Sequence, residues 1–151
     1  MIPKKVVSGY PLLLGYLGYF LMMIGMIILI PLLTIFFYPE EAGESKSFII
    51  PGVVAVIIGY LLSLILRGKE TAKLDRHQDT LLIFLFWIVA IFISAFPFIL
   101  SGNYSFTQAI FESTSGYSTT GLTVVDVTIS PKTFLLYRSL LQFFGGVGLV
   151  L

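Results

Sequence analysis

Phe111-Glu112-Ser113-Thr114-Ser115-Gly116-Tyr117-Ser118-Thr119-Thr120-Gly121-Leu122 is a polar, glycine-punctuated run between two hydrophobic segments, each long enough to cross a membrane. Just before it stands Ser105-Phe106-Thr107-Gln108, the S-x-x-Q form of the capping box, which predicts a helix start at Phe106. A helix from Phe106 to Ser115 that stops at Gly116 is about 15 Å long at roughly 1.5 Å per residue. That is about half the hydrocarbon thickness of a bilayer. Half a span followed by irregular backbone is tolerated at membrane depth only where it is buried in protein or lines water. Spanning helix, half helix, Thr-Thr-Gly turn and spanning helix in succession is the layout of a cation pore, so ion conduction is the expected activity.

Composition agrees with a membrane setting. The 151 residues are 57% hydrophobic and 11% charged, against roughly 45–50% and about 25% in a soluble domain. Lipid must therefore be the solvent for much of the surface. A net charge of +1, with no basic patch interleaved with aromatics, argues against a nucleic-acid partner. The absence of cysteine excludes disulfides, thiolate metal sites and cysteine nucleophiles. The basic start, Met1-Ile2-Pro3-Lys4-Lys5, resembles a signal peptide. The apolar run behind it is too long and lacks a small-residue cleavage site, so it reads as a retained first span.

Working outward from the polar run, four spans are expected. The first covers about Tyr10 to Phe37, with Pro11 in its first turn and Pro31 kinking or shortening its far end. The second covers about Phe48 to Leu66, with Pro51 in its opening turn. The third covers about Thr80 to Leu100, capped by Asp79, and the fourth begins after Pro131. This divides the chain into 1–79, two leading transmembrane helices with a cytoplasmic connector, and 80–151, an outer helix, re-entrant pore loop and inner helix. Lys4, Lys5, Arg67, Lys69, Lys73 and Arg76 fall on one side of these spans. The opposite connector has Lys46 among Glu40, Glu41 and Glu44. The positive-inside rule then puts both ends of the chain in the cytoplasm and the pore loop on the outside.

A dehydrated monovalent cation needs several oxygen ligands, and backbone carbonyls supply them without a fixed charge that traps it. Ser118, Thr119, Thr120 and Gly121 suit that task. Glycine tolerates the unusual backbone angles it demands, and the hydroxyls can satisfy neighbouring backbone groups. Glu112 and Arg138 are the two charges expected within the membrane region, where an isolated charge costs about 2.5–3.5 kcal/mol. An ion pair bracing the pore loop is the expected resolution, with neither residue acting as an ion ligand. Asp126 either raises the cation concentration at the outer mouth or caps a turn before Pro131. His77 is the only histidine and has no second ligand near it in sequence. Gly145, Gly146 and Gly148 either allow close helix packing or let the inner helix bend; the sequence does not separate these. Trp87 and the phenylalanines around it read as lipid-facing or packing residues.

The polar run, together with Leu136-Tyr137-Arg138-Ser139-Leu140-Leu141-Gln142-Phe143-Phe144-Gly145-Gly146-Val147-Gly148, resembles Trk-type potassium uptake proteins of the Trk/Ktr/HKT superfamily. The two leading spans, the charged connector and Leu85-Phe86-Trp87 resemble the Trk subgroup's N-terminal region. The resemblance implies an all-α transmembrane fold: two leading helices plus one helix–pore loop–helix repeat of a potassium-channel-like pore. In that family four linked repeats surround one pore, and Gly121 matches the key filter glycine of the first repeat. The resemblance further implies a potassium ion held by the backbone carbonyls of Ser118, Thr119, Thr120 and Gly121, with Glu112 and Arg138 as structural support. Its implied partners are membrane lipid, the remaining pore repeats (covalent or separate), a second copy in a homodimer, and a cytoplasmic nucleotide-binding regulatory subunit. One repeat cannot surround an ion, so the sequence reads as an N-terminal portion of a transporter or a subunit completed by another polypeptide.

Three other readings stay open on the sequence. A homotetrameric two-helix potassium channel is disfavoured by the missing Gly-Tyr-Gly and the two extra leading helices. A membrane enzyme using Ser or Thr needs an activating base, and the one histidine is expected at the opposite face, so no enzymatic activity is expected. A scaffold could bind other membrane proteins through Gly15, Gly18 and Gly25.

Overall fold

The computed structural model of the chain describes residues 6–7, 9–67, 70–71, 74 and 76–150. Lys4, Lys5, Lys69, Lys73 and Leu151, which entered the orientation argument, lie outside the described residues. Helix α1 covers Tyr10–Leu29, with Pro11 in its first turn, where the missing N–H costs nothing. At Pro31 the α-helical pattern loses a donor, and the chain tightens into a 3-10 helix over Ile30–Phe36. The proline thus changes the helix type instead of breaking it. A second 3-10 helix, Pro39–Glu44, leads into α2 at Ser45–Ser63. Helix α3 spans Arg76–Leu100, α4 Phe106–Tyr117 and α5 Lys132–Val150. The cap expected at Asp79 is not there: α3 starts three residues earlier, and Asp79 lies in its first turn. A two-residue parallel pairing of β1, Val6–Val7, with β2, Glu70–Thr71, is the only strand structure among the described residues.

Tyr10–Phe36, Pro39–Ser63 and Arg76–Leu100 are long and apolar enough to cross a membrane. Helix α5 is not among them. Lys132, Arg138 and Gln142 dilute its apolar run, and Arg138 turns toward α4.

Helices α1 and α2 pack antiparallel along a seam of glycines. A Cβ on Gly18 would stand 2.7 Å from the Gly59 carbonyl oxygen, and one on Gly25 2.7 Å from that of Gly52. Between lipid-exposed helices such close backbone approach supplies van der Waals contact where the hydrophobic effect supplies little. Gly18 and Gly25 therefore face the chain's own α2, and Gly15 faces the Leu66 side chain just beyond the end of α2. Gly25→Ala is expected to destabilise the chain by about 1–3 kcal/mol. Gly43→Ala, with nothing within 4 Å of its Cβ, should stay within about 0.5 kcal/mol. Unfolding in detergent micelles measures both, and equal values would mean that the seam can open at no cost.

The core that joins this helix pair to the rest is aromatic. Phe48 of α2 lies 4.9 Å from Phe134 and 5.3 Å from Tyr137 of α5, ring centre to ring centre. Phe98 of α3 lies 5.6 and 5.5 Å from the same two rings. All four are buried. The start of α2, the end of α3 and the start of α5 are thereby locked at one end of the bundle. That end carries the two loops flanking α4.

Candidate ion-coordinating site

Helix α4 begins as its sequence dictates. The Gln108 N–H donates to Ser105 Oγ at 3.3 Å, and the Ser105 N–H donates to Gln108 Oε1 at 2.8 Å, a complete capping box. Its 12 residues make about 18 Å of helix, still well short of a bilayer's hydrocarbon core. Ala109, Glu112, Ser113, Gly116 and Tyr117 form its buried face, and Phe111 and Thr114 its exposed one.

The end of α4 differs from expectation. Gly116 does not stop the helix, which runs through Tyr117. The glycine is used for space: a Cβ there would stand 2.8 Å from Leu141 Cβ on α5. Termination falls instead to Thr119, whose φ of 57° is left-handed. The Thr119 N–H donates to the Gly116 carbonyl at 2.9 Å and the Thr120 N–H to that of Ser115 at 3.2 Å. This is the Schellman arrangement, which normally places glycine where Thr119 stands. A β-branched residue at positive φ is a strained outlier, of the kind that clusters at functional sites.

Beyond it the chain is irregular. Ser118 and Thr119 form a turn, and from Thr120 to Pro131 the chain has no regular structure. Gly121 has a φ of 77°, the second left-handed residue within three. Ser118 Oγ and Thr120 Oγ1 lie 2.7 Å apart. Among the described residues, the carbonyl oxygens of Ser118, Thr119, Thr120 and Gly121 accept no hydrogen bond from the chain. The whole stretch from Ser118 to Val124 is exposed on this chain's surface. No group of three His, Cys, Asp or Glu side chains comes together among the described residues. Coordination of a cation in this region would fall to backbone and hydroxyl oxygens.

The carbonyl run is held from both flanks. Ser115 Oγ donates to the Leu122 carbonyl at 2.6 Å. Glu112, with its side chain wholly buried, accepts from Arg138 Nε at 2.7 Å through one oxygen. Its other oxygen accepts from Thr123 Oγ1 at 2.8 Å and the Val124 N–H at 2.7 Å. Three donors on one carboxylate satisfy a charge that is otherwise costly to bury. The structure thus brings Glu112 and Arg138 together and adds Thr123, Val124 and Ser115, which sequence reasoning missed. Residues 115 and 122, or 112 and 124, are joined only by the fold of the loop, and no local pattern marks them.

Tyr117 closes the underside. Its hydroxyl lies 2.9 Å from Ser94 Oγ on α3, and the Tyr137 hydroxyl of α5 donates to the Ser94 carbonyl at 2.9 Å. Trp87 stacks edge-on to Tyr117, ring centres 5.9 Å apart, as a packing residue. Asp126 caps a turn. Its Oδ1 accepts from Thr128 Oγ1 at 2.6 Å and the Thr128 N–H at 3.0 Å. Those bonds hold its carboxyl below the usual aspartate range. His77 is exposed in the first turn of α3.

Residues 44–151 match the family model described as "TrkH: Cation transport protein". An uncharacterised cation transporter of Methanocaldococcus jannaschii is 34% identical over 151 residues, 99% of this chain and 30% of the relative. The Trk system potassium uptake protein TrkH of Escherichia coli K12 is 39% identical over 125 residues, 81% of this chain and 25% of the relative. Among solved structures, the potassium transporter TrkH from Vibrio parahaemolyticus superposes with a TM-score of 0.83 at 30% identity. That match covers 93% of this chain and 30% of that one. The chain thus spans less than a third of the length of the relatives it matches. With its fold and most of its sequence matched in this way, the chain is a multi-pass membrane protein that belongs to the TrkH family of cation transport proteins.

Proposed function

We propose that the chain serves potassium uptake across the cell membrane, as the N-terminal part of the pore-forming subunit of a Trk-type transporter. Residues 1–79 act as a leading helix pair with its cytoplasmic connector, and 80–151 as the first pore repeat. Both ends are cytoplasmic and the α4 loop enters from outside. The observation that carries this reading is the run of free carbonyl oxygens at Ser118, Thr119, Thr120 and Gly121, bent by two left-handed residues. Potassium exchanges part of its water for those oxygens, and further repeats complete the ring. A second copy of the subunit and a cytoplasmic nucleotide-binding regulator are its partners in this reading.

Gly121→Ser tests it. A Cβ at Gly121 would meet only Gln142 Nε2, at 3.5 Å, an ordinary contact. The substitution therefore acts through backbone conformation, because L-residues resist positive φ by about 1–2 kcal/mol. The carbonyls on either side should tilt, and the larger, more easily dehydrated ion should lose more. The potassium-to-sodium uptake ratio of the intact protein is expected to fall by about tenfold at matched membrane expression. An unchanged ratio would remove Gly121 from the coordinating set.

A further inference from the structure

We propose that Glu41, in the 3-10 turn between α1 and α2, is a positioning residue for the ion pathway. Its carboxylate fixes the start of α5 and with it the far end of the segment that leaves the Gly121 carbonyl. The effect on ions rests on the potassium reading above; the contact itself rests on geometry.

Glu41 Oε1 accepts from the Lys132 N–H at 2.7 Å. Its Oε2 accepts from the Thr133 N–H at 2.9 Å and from Thr133 Oγ1 at 2.7 Å. Lys132 and Thr133 are the first two residues of α5, where backbone N–H groups have no acceptor within the helix. Pro131 precedes them and accepts from the Phe134 and Leu135 N–H groups, both at 3.1 Å. A proline has no side-chain oxygen with which to cap the helix. The helix start therefore needs an acceptor from elsewhere in the fold, and an anion suits its positive end best. Glu41 supplies it from more than ninety residues away.

The surroundings fix that arrangement. Thr133 is fully buried, and its Oγ1 lies 2.7 Å from Thr34 Oγ1, which also contacts the Pro31 carbonyl at 2.7 Å. The same spot is thus joined to the 3-10 end of α1. Phe134 packs on Phe48 of α2. Lys132 and Glu44 are the charges that act on this site.

The segment between Gly121 and α5 is consequently held at both ends by carboxylates that lie outside it. Glu112 of α4 takes its beginning, Thr123 and Val124. Glu41 of the leading helix pair takes its end. Between them the Asp126 turn and a bond from the Val125 N–H to Thr123 Oγ1 at 2.8 Å give it internal structure. The leading pair, which contributes no carbonyl to the run, thereby sets where α5 begins. It also sets where Arg138, less than two turns further on, meets Glu112.

The test uses the intact protein in membranes. Glu41→Gln keeps the shape and removes the charge, Glu41→Asp is the conservative variant, and Thr133→Val removes the hydroxyl's contacts with Glu41 and Thr34 while leaving both backbone bonds to Glu41. Amide exchange at Lys132 and Thr133 is expected to rise about tenfold in Glu41→Gln. The potassium-to-sodium uptake ratio is expected to fall about fivefold per transporter in the membrane. Glu41→Asp should restore part of both. Unchanged exchange in Glu41→Gln overturns the proposal. So does raised exchange with an unaltered ratio and only less transporter, since that is the signature of a purely structural contact. If Glu41→Gln fails to reach the membrane, Glu41→Asp and Thr133→Val carry the same two readouts with smaller shifts. A wild-type protein that takes up no potassium would sink the potassium reading, while the exchange result still decides whether Glu41 holds α5.

Discussion

Arg138→Met is expected to lower the stability of the folded chain by about 3–5 kcal/mol, the usual cost of leaving one member of a buried ion pair without its partner. The Glu112 side chain has no exposure and that of Arg138 only 13%, so water cannot replace the guanidinium at the carboxylate. Thr123 and Val124 would still donate to Glu112, but hydrogen bonds to neutral groups do not balance the charge. Glu112→Gln should cost less, about 1.5–3 kcal/mol. Glutamine keeps an oxygen for Thr123 and Val124, and the Arg138 side chain, unlike that of Glu112, keeps partial contact with water. The double variant should be milder than Arg138→Met alone, because a neutral amide in place of the Glu112 carboxylate no longer requires a cation. Denaturant unfolding of the four proteins in detergent gives the coupling, expected at about 2–3 kcal/mol. Additive single effects would show that each charge is stabilised independently, leaving no brace between α4 and α5.

Gly145→Ala is expected to be the most damaging of the small substitutions in α5, at about 3 kcal/mol, the upper part of the overpacking range. A Cβ there collides with the carbonyl group of Tyr117, a backbone atom and not a pliable side chain. Tyr117 cannot yield, because its ring is fixed by Ser94 and Trp87. Helices α4 and α5 must separate instead, and the Ser118–Gly121 carbonyls follow the end of α4. Gly146 and Gly148 provide the comparison. Their Cβ atoms would lie 3.6 Å from Thr119 and 3.8 Å from Trp87, ordinary contacts that alanine accepts. Helix propensity favours alanine by about 1 kcal/mol, so Gly146→Ala should be neutral or mildly stabilising. Equal losses at 145 and 146 would mean that the glycines serve bending of α5 and not its approach to α4.

These glycines show what could be read in advance. The sequence presents Gly145, Gly146 and Gly148 as equivalent, and only the position of Tyr117 separates them. Gly116 is a similar case. As a glycine after a short amphipathic run it looks like a helix stop, yet it serves the approach of Leu141, and the left-handed residue is Thr119. Asp79 looks like a cap because it precedes an apolar run, but α3 begins a turn earlier at Arg76.

What the sequence determined by itself depends on neighbours within a turn or two or on bulk apolarity. The capping box at Ser105 and Gln108, a disturbance of the first span's far end at Pro31 and the membrane-length runs of α1, α2 and α3 are all of this kind. So are the short α4 and the glycine at positive φ after it. Each rests on bonds between residues three or four apart, or on the transfer of a contiguous apolar stretch into lipid. Tertiary structure decided which faces meet. It set Gly25 against Gly52, Gly145 against Tyr117, Ser115 on the Leu122 carbonyl, and Glu41 on the first turn of α5. Those contacts depend on helix crossings at distances of an atomic radius, and many residues far apart in the chain fix them jointly. No local pattern encodes them.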